Sequence, residues 1–129
     1  MSATTTRRRE ALCGANLKDH GQNARIRMGI VALTVALGAA VAVMEADLAR
    51  PWRVVLFVPF FFAAFGAWQG LYRTCPGLVM RGTRETQEGD EVRVADPEQT
   101  RAARRLATKV MLGSVATAAC ATALLVALP

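Results

Sequence analysis

Three long apolar runs without a charged residue constrain this chain more than any other feature. They cover residues 28–44, 54–72 and 110–129, which are 17, 19 and 20 residues long in a chain of 129. A helix rises about 1.5 Å per residue and the hydrocarbon core of a bilayer is about 30 Å thick, so each run can cross it as a helix. The sequence therefore predicts an all-α integral membrane protein with three transmembrane helices.

Two other interpretations fit these runs less well. A soluble three-helix bundle needs polar residues at helical spacing, but the segments GIVALTVALGAAVAVM and LFVPFFFAAFGAW are apolar on every side. A cleaved signal peptide would use the arginine triplet at residues 7–9 as its charged region. The segment between that triplet and the first run is long and includes Lys18, Asp19 and Arg25, so we expect the first span to be retained.

The distribution of basic residues predicts how the chain is threaded. Six of the 16 lysines and arginines lie in residues 7–27 and eight lie in residues 73–109, whereas the turn between the first two spans has only Arg50 and Arg53. Short loops rich in Lys and Arg stay in the cytoplasm. We therefore expect a bacterial inner-membrane protein with a cytoplasmic N-terminus and an outward C-terminus. Anionic lipid headgroups account for the basic charge, so no nucleic acid partner is expected.

The second span carries aromatic and polar residues near its ends. Trp68 and Tyr72 close it at the inner side, where amphipathic rings prefer to lie. Pro59 removes one backbone donor, which predicts a kink over residues 55–59. Gln69 is the one strongly polar side chain between the ends of this span, and it is a candidate for lining a pathway.

Composition divides the chain into four segments. Residues 1–22 form a basic cytoplasmic tail, and residues 23–82 form a transmembrane hairpin of two helices. Residues 83–96 are acidic and predict a solvated linker without regular structure. Residues 97–129 predict a helix that continues into the third span.

The start of this last helix has a clear sequence signal. Asp96 is placed as the N-cap, Pro97 takes the first helical position, and Gln99 is placed to complete a capping box. The turns that follow predict an amphipathic helix before the third span. Its basic residues, which we expect to face lipid headgroups, are Arg101, Arg104, Arg105 and Lys109.

Small residues recur at helical spacing and predict close packing of the spans. The second span contains Gly66 and Gly70 as a G-x-x-x-G pair, and the third aligns Gly113, Thr117 and Ala121 on one face. Lipid is as apolar as leucine, so helices associate in a membrane through such close contacts. We expect a compact bundle in which one small-residue face forms a homodimer.

The three cysteines, Cys13, Cys75 and Cys120, are not expected to form a disulfide. The threading puts the first two in the reducing cytoplasm and the third inside the bilayer. The chain has no C-x-x-C motif and its one histidine is His20. The sequence therefore predicts no metal site and no cofactor.

Cys75 has two interpretations that the sequence leaves open. Pro76 disfavours helical geometry at the residue before it and Gly77 permits a left-handed turn, so the Cys-Pro-Gly stretch ends a helix. A helix C-terminus disfavours a thiolate, whereas the nearby Arg73 and Arg81 favour one. Cys75 is therefore either part of a helix stop or a reactive thiol.

Two motifs resemble the YgaP-like inner-membrane domain family. They are NARIRMG at residues 23–29, which leads into an apolar hairpin, and CPGLVMRG at residues 75–82, which follows it. That family pairs an Asn and an Arg-x-x-x-Gly pattern before its first helix with a Cys-Pro pair and a later glycine after its second. The resemblance covers residues 23–82. Its matching positions in this chain are Asn23, Arg25, Gly29, Cys75, Pro76 and Gly82.

The resemblance implies a two-helix hairpin with both ends in the cytoplasm, which often dimerises through its helices. In the best-known members this hairpin is joined to a rhodanese, a sulfur-transferring enzyme, which implies sulfur chemistry near Cys75. Here the residues before the first span hold no rhodanese domain, Gln22 stands where the family often has a further arginine, and a third span is added. A separate sulfurtransferase is therefore one candidate partner.

The chain lacks the residue sets of common enzyme sites. It has no Ser-His-Asp set, no metal cluster and no phosphate-binding glycine loop. The sequence therefore favours a non-enzymatic membrane module, either a structural or assembly subunit or a partner for another protein. Two alternatives are a thiol- or sulfur-handling protein that uses Cys75, and an oligomeric channel or facilitator for small anions built around the small-residue faces and Gln69.

Overall fold

The computed structural model describes residues 15–86 and 88–129, so Cys13 and most of the predicted tail lie outside the described residues. Three helical stretches, Asp19–Glu45, Arg50–Tyr72 and Pro97–Ala127, are long and apolar enough to cross a membrane. The chain is thus a multi-pass, all-α membrane protein, and the predicted fold class is confirmed. The elements in chain order are helix α1 (Asp19–Glu45), a 3₁₀ segment (Arg50–Leu56), helices α2 (Phe57–Tyr72) and α3 (Pro76–Arg81), strands β1 (Thr83–Glu85) and β2 (Glu91–Arg93), and helix α4 (Pro97–Ala127).

Helix α2 lies between the other two long helices. Both α1 and α4 pack along α2, and both run antiparallel to it. The hydrogen bond from the Gln22 side chain to the carbonyl of Gly70 joins the start of α1 to the end of α2. We call the end of the bundle where α1 and α4 begin and α2 ends the basic end, because the two segments richest in Lys and Arg meet there.

Glycine lets α1 and α2 approach to backbone contact. A Cβ added at Gly66 would lie 2.7 Å from the Cα of Gly29, and one added at Gly70 would lie 2.5 Å from Cγ1 of Ile26. Neither position leaves room for a side chain. The same face of α1 continues toward the opposite end with Ala36 and Ala40, both of which are buried. Small residues therefore form the α1–α2 contact along its length.

The second span changes backbone type where the sequence predicts a kink. Its first part is 3₁₀ helix as far as Leu56, and α-helix begins at Phe57. Pro59 is the third residue of α2, within the first turn, where a backbone N–H has no partner inside the helix. Its missing donor therefore leaves no carbonyl unpaired in the α-helical part of the span.

The acidic linker is not without regular structure, so that expectation is wrong. Residues on either side of a turn form an antiparallel hairpin that pairs Thr83 with Arg93 and Glu85 with Glu91. The turn is closed by the amide of Thr86 bonding to the carbonyl of Asp90 at 2.7 Å. The acidic composition of this segment does not indicate strands β1 and β2, because their pairing depends on contacts with other parts of the chain.

Helix α4 begins as the sequence indicates, with one difference in its cap. The Asp96 side chain accepts a hydrogen bond of 2.9 Å from the amide of Glu98. In a capping box the amide of Gln99 would donate this bond to Asp96, so the predicted capping box is wrong. The helix runs unbroken to Ala127. Its four basic residues are all exposed in the first turns: Arg101, Arg104, Arg105 and Lys109.

Candidate functional site at the basic end

Asn16 joins three remote parts of the chain at the basic end. Its side chain donates to the carbonyl of Cys75 at 3.0 Å and accepts from the amide of Cys75 at 2.7 Å. Its own amide bonds to the carbonyl of Arg73 at 3.0 Å, and its carbonyl accepts from the amide of Glu85 at 2.8 Å. Asn16 is only 4% exposed. The segment before α1, the turn after α2 and strand β1 are therefore one connected unit, which we call the cap.

The turn between α2 and α3 presents its backbone to Asn16 because of its local geometry. Arg73 adopts a left-handed conformation with φ 49° at the end of α2. The buried Thr74 then returns its amide to the carbonyl of Gln69 at 3.1 Å. Cys75 is extended, as expected of a residue before proline, and Pro76 begins α3. Arg73 also forms an ion pair of 2.9 Å with Asp19 at the start of α1.

A glutamate from the hairpin closes the start of α1. An Oε2 atom of Glu85 accepts from the amide of Lys18, the N-cap of α1, at 3.1 Å. A Cβ at Gly21 would overlap this carboxylate, so the glycine provides its space. A carboxylate at a helix N-terminus is stabilised by the unpaired amides there.

The Cys75 side chain lies beneath the cap surface. It is 8% exposed and packs in a cluster with Leu17 and Leu78. A guanidinium nitrogen of Arg25, Nη2, lies 3.7 Å from its Sγ atom. This contact crosses from α1 to the α2–α3 turn and joins two of the positions on which the resemblance to the YgaP-like family rests. Reactive thiols usually combine positive surroundings with some exposure, and Cys75 has the first without the second.

A polar crevice lies on the outer side of Arg25. It is open to solvent and has a volume of about 590 Å³. Its charged lining residues are the cations Arg25 and Arg81 and the carboxylates Glu85, Glu88, Asp90 and Glu91. His20 also lines it. Arg25, Leu17 and Leu78 all line the crevice and all lie against the Cys75 side chain, so these three side chains together separate the crevice from the thiol. The mixed charge suits a small polar ligand or a polar protein surface rather than an apolar ligand.

Hydrogen bonds among Arg81, Thr83 and Glu91 hold the edge of the crevice in place. Arg81 donates to Glu91 from Nε at 2.8 Å and from Nη2 at 3.4 Å. The hydroxyl of Thr83 also donates to Glu91. The Thr83 hydrogen bond and then the Arg81 bond lower the pKa of Glu91 below its ordinary value. The bond to Glu91 raises the pKa of Arg81 in turn.

The remaining motif positions have separate structural places. Gly29 is buried against Gly66, and Gly82 ends α3 in a left-handed conformation with φ 68°. The Asn23 side chain is exposed and makes no hydrogen bond within the described residues. The structure therefore brings together Arg25 and Cys75, but it does not bring Asn23 to them.

The predicted packing residues of α4 lie along its boundary with α2. The indole of Trp68 covers Gly113, where an added Cβ would lie 2.7 Å from ring atom Cε2. The Trp68 Nε1 atom donates to the hydroxyl of Thr117 at 3.1 Å. Ala121 lies one turn further on and lines an apolar groove described below. The aromatic ring expected at the membrane interface is thus also a packing contact between helices.

Among the described residues, four polar side chains of the membrane-spanning helices are buried: Arg53, Gln69, Ser114 and Thr122. Arg53 is 4% exposed and donates from Nη1 to the carbonyls of Leu125 at 3.0 Å and Leu128 at 2.8 Å. It therefore caps the C-terminus of α4. Gln69 is 0% exposed, and neither atom of its amide has a hydrogen-bond partner among the described residues. The sequence placed Arg53 in a turn and offered Gln69 only as a candidate for lining a pathway.

The sequence did not mark Asn16 as a site residue, nor Glu85 and Glu91 of the hairpin. Nothing in the local sequence of Asn16 distinguishes it, because its partners are dozens of positions away. Within residues 15–86 and 88–129, no group of three or more His, Cys, Asp or Glu side chains could hold a metal ion. Comparison of the chain with known protein families, characterised proteins and solved structures gave no match.

Proposed function

We propose that the protein is a non-enzymatic membrane module of the YgaP-like type, whose cap is a docking surface for a partner protein. The module lies in a bacterial inner membrane with its basic end in the cytoplasm, as the distribution of Lys and Arg supports. The observation that carries the proposal is the Asn16 junction. Its bonds to Arg73, Cys75 and Glu85 hold three chain segments in one arrangement above the helix ends.

The exposed face of the cap supports a protein partner. Met80 on α3 is 89% exposed, and Val92 on β2 is 37% exposed. They flank the ion pair between Arg81 and Glu91. Methionine and arginine are enriched in protein interfaces, where an apolar side chain enters a pocket beside polar contacts. A separate sulfurtransferase is the partner class that the family resemblance favours.

Photo-crosslinking in cells tests this function. A photoreactive amino acid at Met80 should form an adduct with one distinct protein, while the same residue at the lipid-facing Val35, which is 59% exposed, should not. Asn16→Ala should reduce the Met80 adduct without reducing membrane insertion. An adduct of twice the chain's mass would identify a homodimer instead. If Met80 and Val35 give the same products, the docking function is wrong.

Sulfur handling at Cys75 is a second candidate, which the Arg25 contact supports. The guanidinium 3.7 Å from Sγ is placed to hold a negatively charged sulfur group. In this reaction the Cys75 thiolate attacks the outer sulfur of a donor persulfide, the donor thiolate leaves, and Cys75 retains the transferred sulfur as a persulfide. Arg25 would have to move for the donor to reach the buried thiol.

Mass spectrometry separates the two candidates. After incubation with a sulfurtransferase loaded from thiosulfate, sulfur handling predicts one added sulfur atom on the peptide that contains Cys75. Cys75→Ser should abolish the addition, Arg25→Gln should reduce it, and Cys120→Ser should leave it unchanged. If the chain without substitutions gains no sulfur atom, the docking function is the better explanation.

A further inference from the structure

An apolar groove runs along the exposed side of α2, between α1 and α4. Its floor contains Ala63 and Ala67 of α2, and its walls contain Ile26 and Ile30 of α1 and Thr117 and Ala121 of α4. Its volume is about 280 Å³. The groove exists because α2 holds α1 and α4 apart. The small side chains of α2 leave the space between these two helices unfilled.

The groove lies in the half of the bundle nearest the basic end. Ile26 on its wall contacts Gly70, close to where α2 ends. Trp68 stacks on Tyr72 beside this end of the groove, with ring centroids 5.7 Å apart, and donates to Thr117. Aromatic residues with one polar atom favour the depth of the lipid headgroups. The groove therefore extends from headgroup depth into one leaflet.

Positive charge flanks the headgroup end of the groove. Arg27 precedes the wall residue Ile30 by three positions on α1, which places it almost one turn nearer the basic end. Lys109 precedes Thr117 by eight positions on α4, which places it a little more than two turns nearer the basic end. Both side chains are exposed, and neither takes part in an ion pair within the described chain.

We propose that this groove binds one acyl chain of an anionic phospholipid, whose phosphate lies between Arg27 and Lys109. The apolar lining suits a hydrocarbon chain, and the two cations suit a negatively charged headgroup at the depth that Trp68 marks. A second copy of this chain suits the groove less well. Copies inserted in one orientation bring their basic ends to the same depth, so Arg27 and Lys109 would meet residues of like charge.

Fluorescence quenching by brominated lipids tests the site. The chain has two tryptophans, so Trp52→Phe leaves Trp68 as the single reporter beside the groove. In vesicles, phosphatidylglycerol brominated on its acyl chains should bind beside Trp68 more tightly than equally brominated phosphatidylcholine. We expect a ratio of about fivefold or more, the effect of a Lys or Arg at a membrane surface.

Two test variants, each with a control variant, identify the parts of the site. Replacing Arg27 and Lys109 together with Gln should remove the preference for the anionic lipid. Replacing Arg84 and Arg93 of the hairpin with Gln loses the same charge and should keep it. Ala67→Leu raises the floor and should reduce quenching by both lipids, whereas Gly38→Ala, where a Cβ meets open space, should not.

Three outcomes would overturn the proposal. Equal quenching by the two lipids would show that the groove does not select an anionic headgroup. Equal loss of preference in the two pairs of Gln variants would show an effect of net charge alone. Weak quenching by both lipids that increases when the protein is diluted to a monomer would show that a second copy covers the groove.

Discussion

The Asn16 side chain satisfies both backbone polar groups of Cys75, donating to its carbonyl at 3.0 Å and accepting from its amide at 2.7 Å. Both residues are buried. A side-chain amide has one acceptor and a pair of donors on neighbouring atoms, so it can pair with an extended backbone as another strand would. This contact holds the segment before α1 against the turn that leads into α3, and it explains why the cap is ordered above the membrane-spanning helices.

Asn16→Ala should open the cap. The change removes two hydrogen bonds and leaves the amide and carbonyl of Cys75 unpaired in a buried place, which costs roughly 2 to 4 kcal/mol. In a variant without Cys13 and Cys120, the labelling rate of Cys75 by a thiol reagent should rise at least about tenfold.

Asn23→Ala is the matched control, because the Asn23 side chain is exposed and makes no hydrogen bond within the described residues. Its labelling rate should equal that of the parent. Unchanged labelling in Asn16→Ala would mean that other contacts hold Cys75 in place and that Asn16 is not the centre of the cap.

Gly66→Ala should separate α1 from α2. A Cβ at Gly66 would lie 2.7 Å from both the Cα and the N of Gly29, and backbone atoms cannot turn aside as a flexible side chain can. We expect a loss of about 1 to 3 kcal/mol in the free energy of unfolding, measured in bicelles or detergent.

Gly38→Ala in the same helix pair provides the comparison. Its added Cβ meets nothing within 4 Å, and alanine favours a helix over glycine, so stability should stay equal or rise slightly. If both substitutions have the same effect, the close approach of Gly29 and Gly66 does not determine the stability of the pair.

Features that depend on neighbouring residues could be predicted from the sequence, and features that depend on distant ones could not. The three spans follow from continuous apolar runs, and the start of α4 follows from Asp96 and Pro97, which act within one turn. The hairpin and Asn16 depend on each other through the bond between Asn16 and Glu85, 69 positions later. No periodic pattern records such a contact.

The candidate site could likewise be predicted from the sequence only in part. The motifs on which the YgaP-like resemblance rests contain Arg25 and Cys75, and the structure brings a guanidinium nitrogen of Arg25 to 3.7 Å from the Sγ atom of Cys75. The depth of the thiol, in contrast, is set by Leu17 and Leu78, neither of which the motif marks. Arg53 was assigned to a turn because a charge beside an apolar run usually marks its end, yet α4 supplies buried carbonyls that satisfy it.

Arg53→Leu should release the end of α4. The guanidinium bonds two carbonyls beyond the reach of the helix's own amides, at the negative end of its dipole. Hydrogen exchange in nanodiscs should become at least about tenfold faster over residues 122–129, because charged hydrogen bonds contribute roughly 1.5 to 3 kcal/mol. Arg50→Leu, which removes an exposed arginine three residues earlier, should not change exchange there. Equal exchange in the two variants would show that Arg53 does not hold this terminus.

Gln69→Met should preserve or raise stability. The Gln69 amide is fully buried and has no partner within the described residues, so its burial is unfavourable and a methionine of similar size removes that cost. The free energy of unfolding should stay equal or increase by about 1 to 2 kcal/mol. A clear loss would mean that the amide is hydrogen-bonded in the membrane, for example to water, and would favour the pathway interpretation of this residue.

Protonation of Glu91 should weaken the attachment of the hairpin to α3. The Thr83 hydrogen bond, followed by the Arg81 bond, lowers the pKa of Glu91 from its ordinary value of 4.5, so the folded hairpin favours the carboxylate. The resulting stabilisation is therefore fully present above pH about 4.5, the unfolded value, and is lost as the pH falls through the lower folded value. Carboxyl NMR of the protein in bicelles should give a midpoint below 4.5 for Glu91.

Two variants show which contact controls this titration. Thr83→Val removes the first cause, and Arg81→Gln removes the second together with the attraction of its charge, so both should raise the Glu91 midpoint. Arg84→Gln removes an exposed neighbouring charge that makes no hydrogen bond to Glu91 and should change the midpoint least. A midpoint that moves equally in Arg81→Gln and Arg84→Gln would show that general charge, rather than the bonded set at the crevice edge, determines the pKa. Because Glu91 joins β2 to α3 through Arg81, its titration also reports whether the cap keeps this arrangement in the membrane.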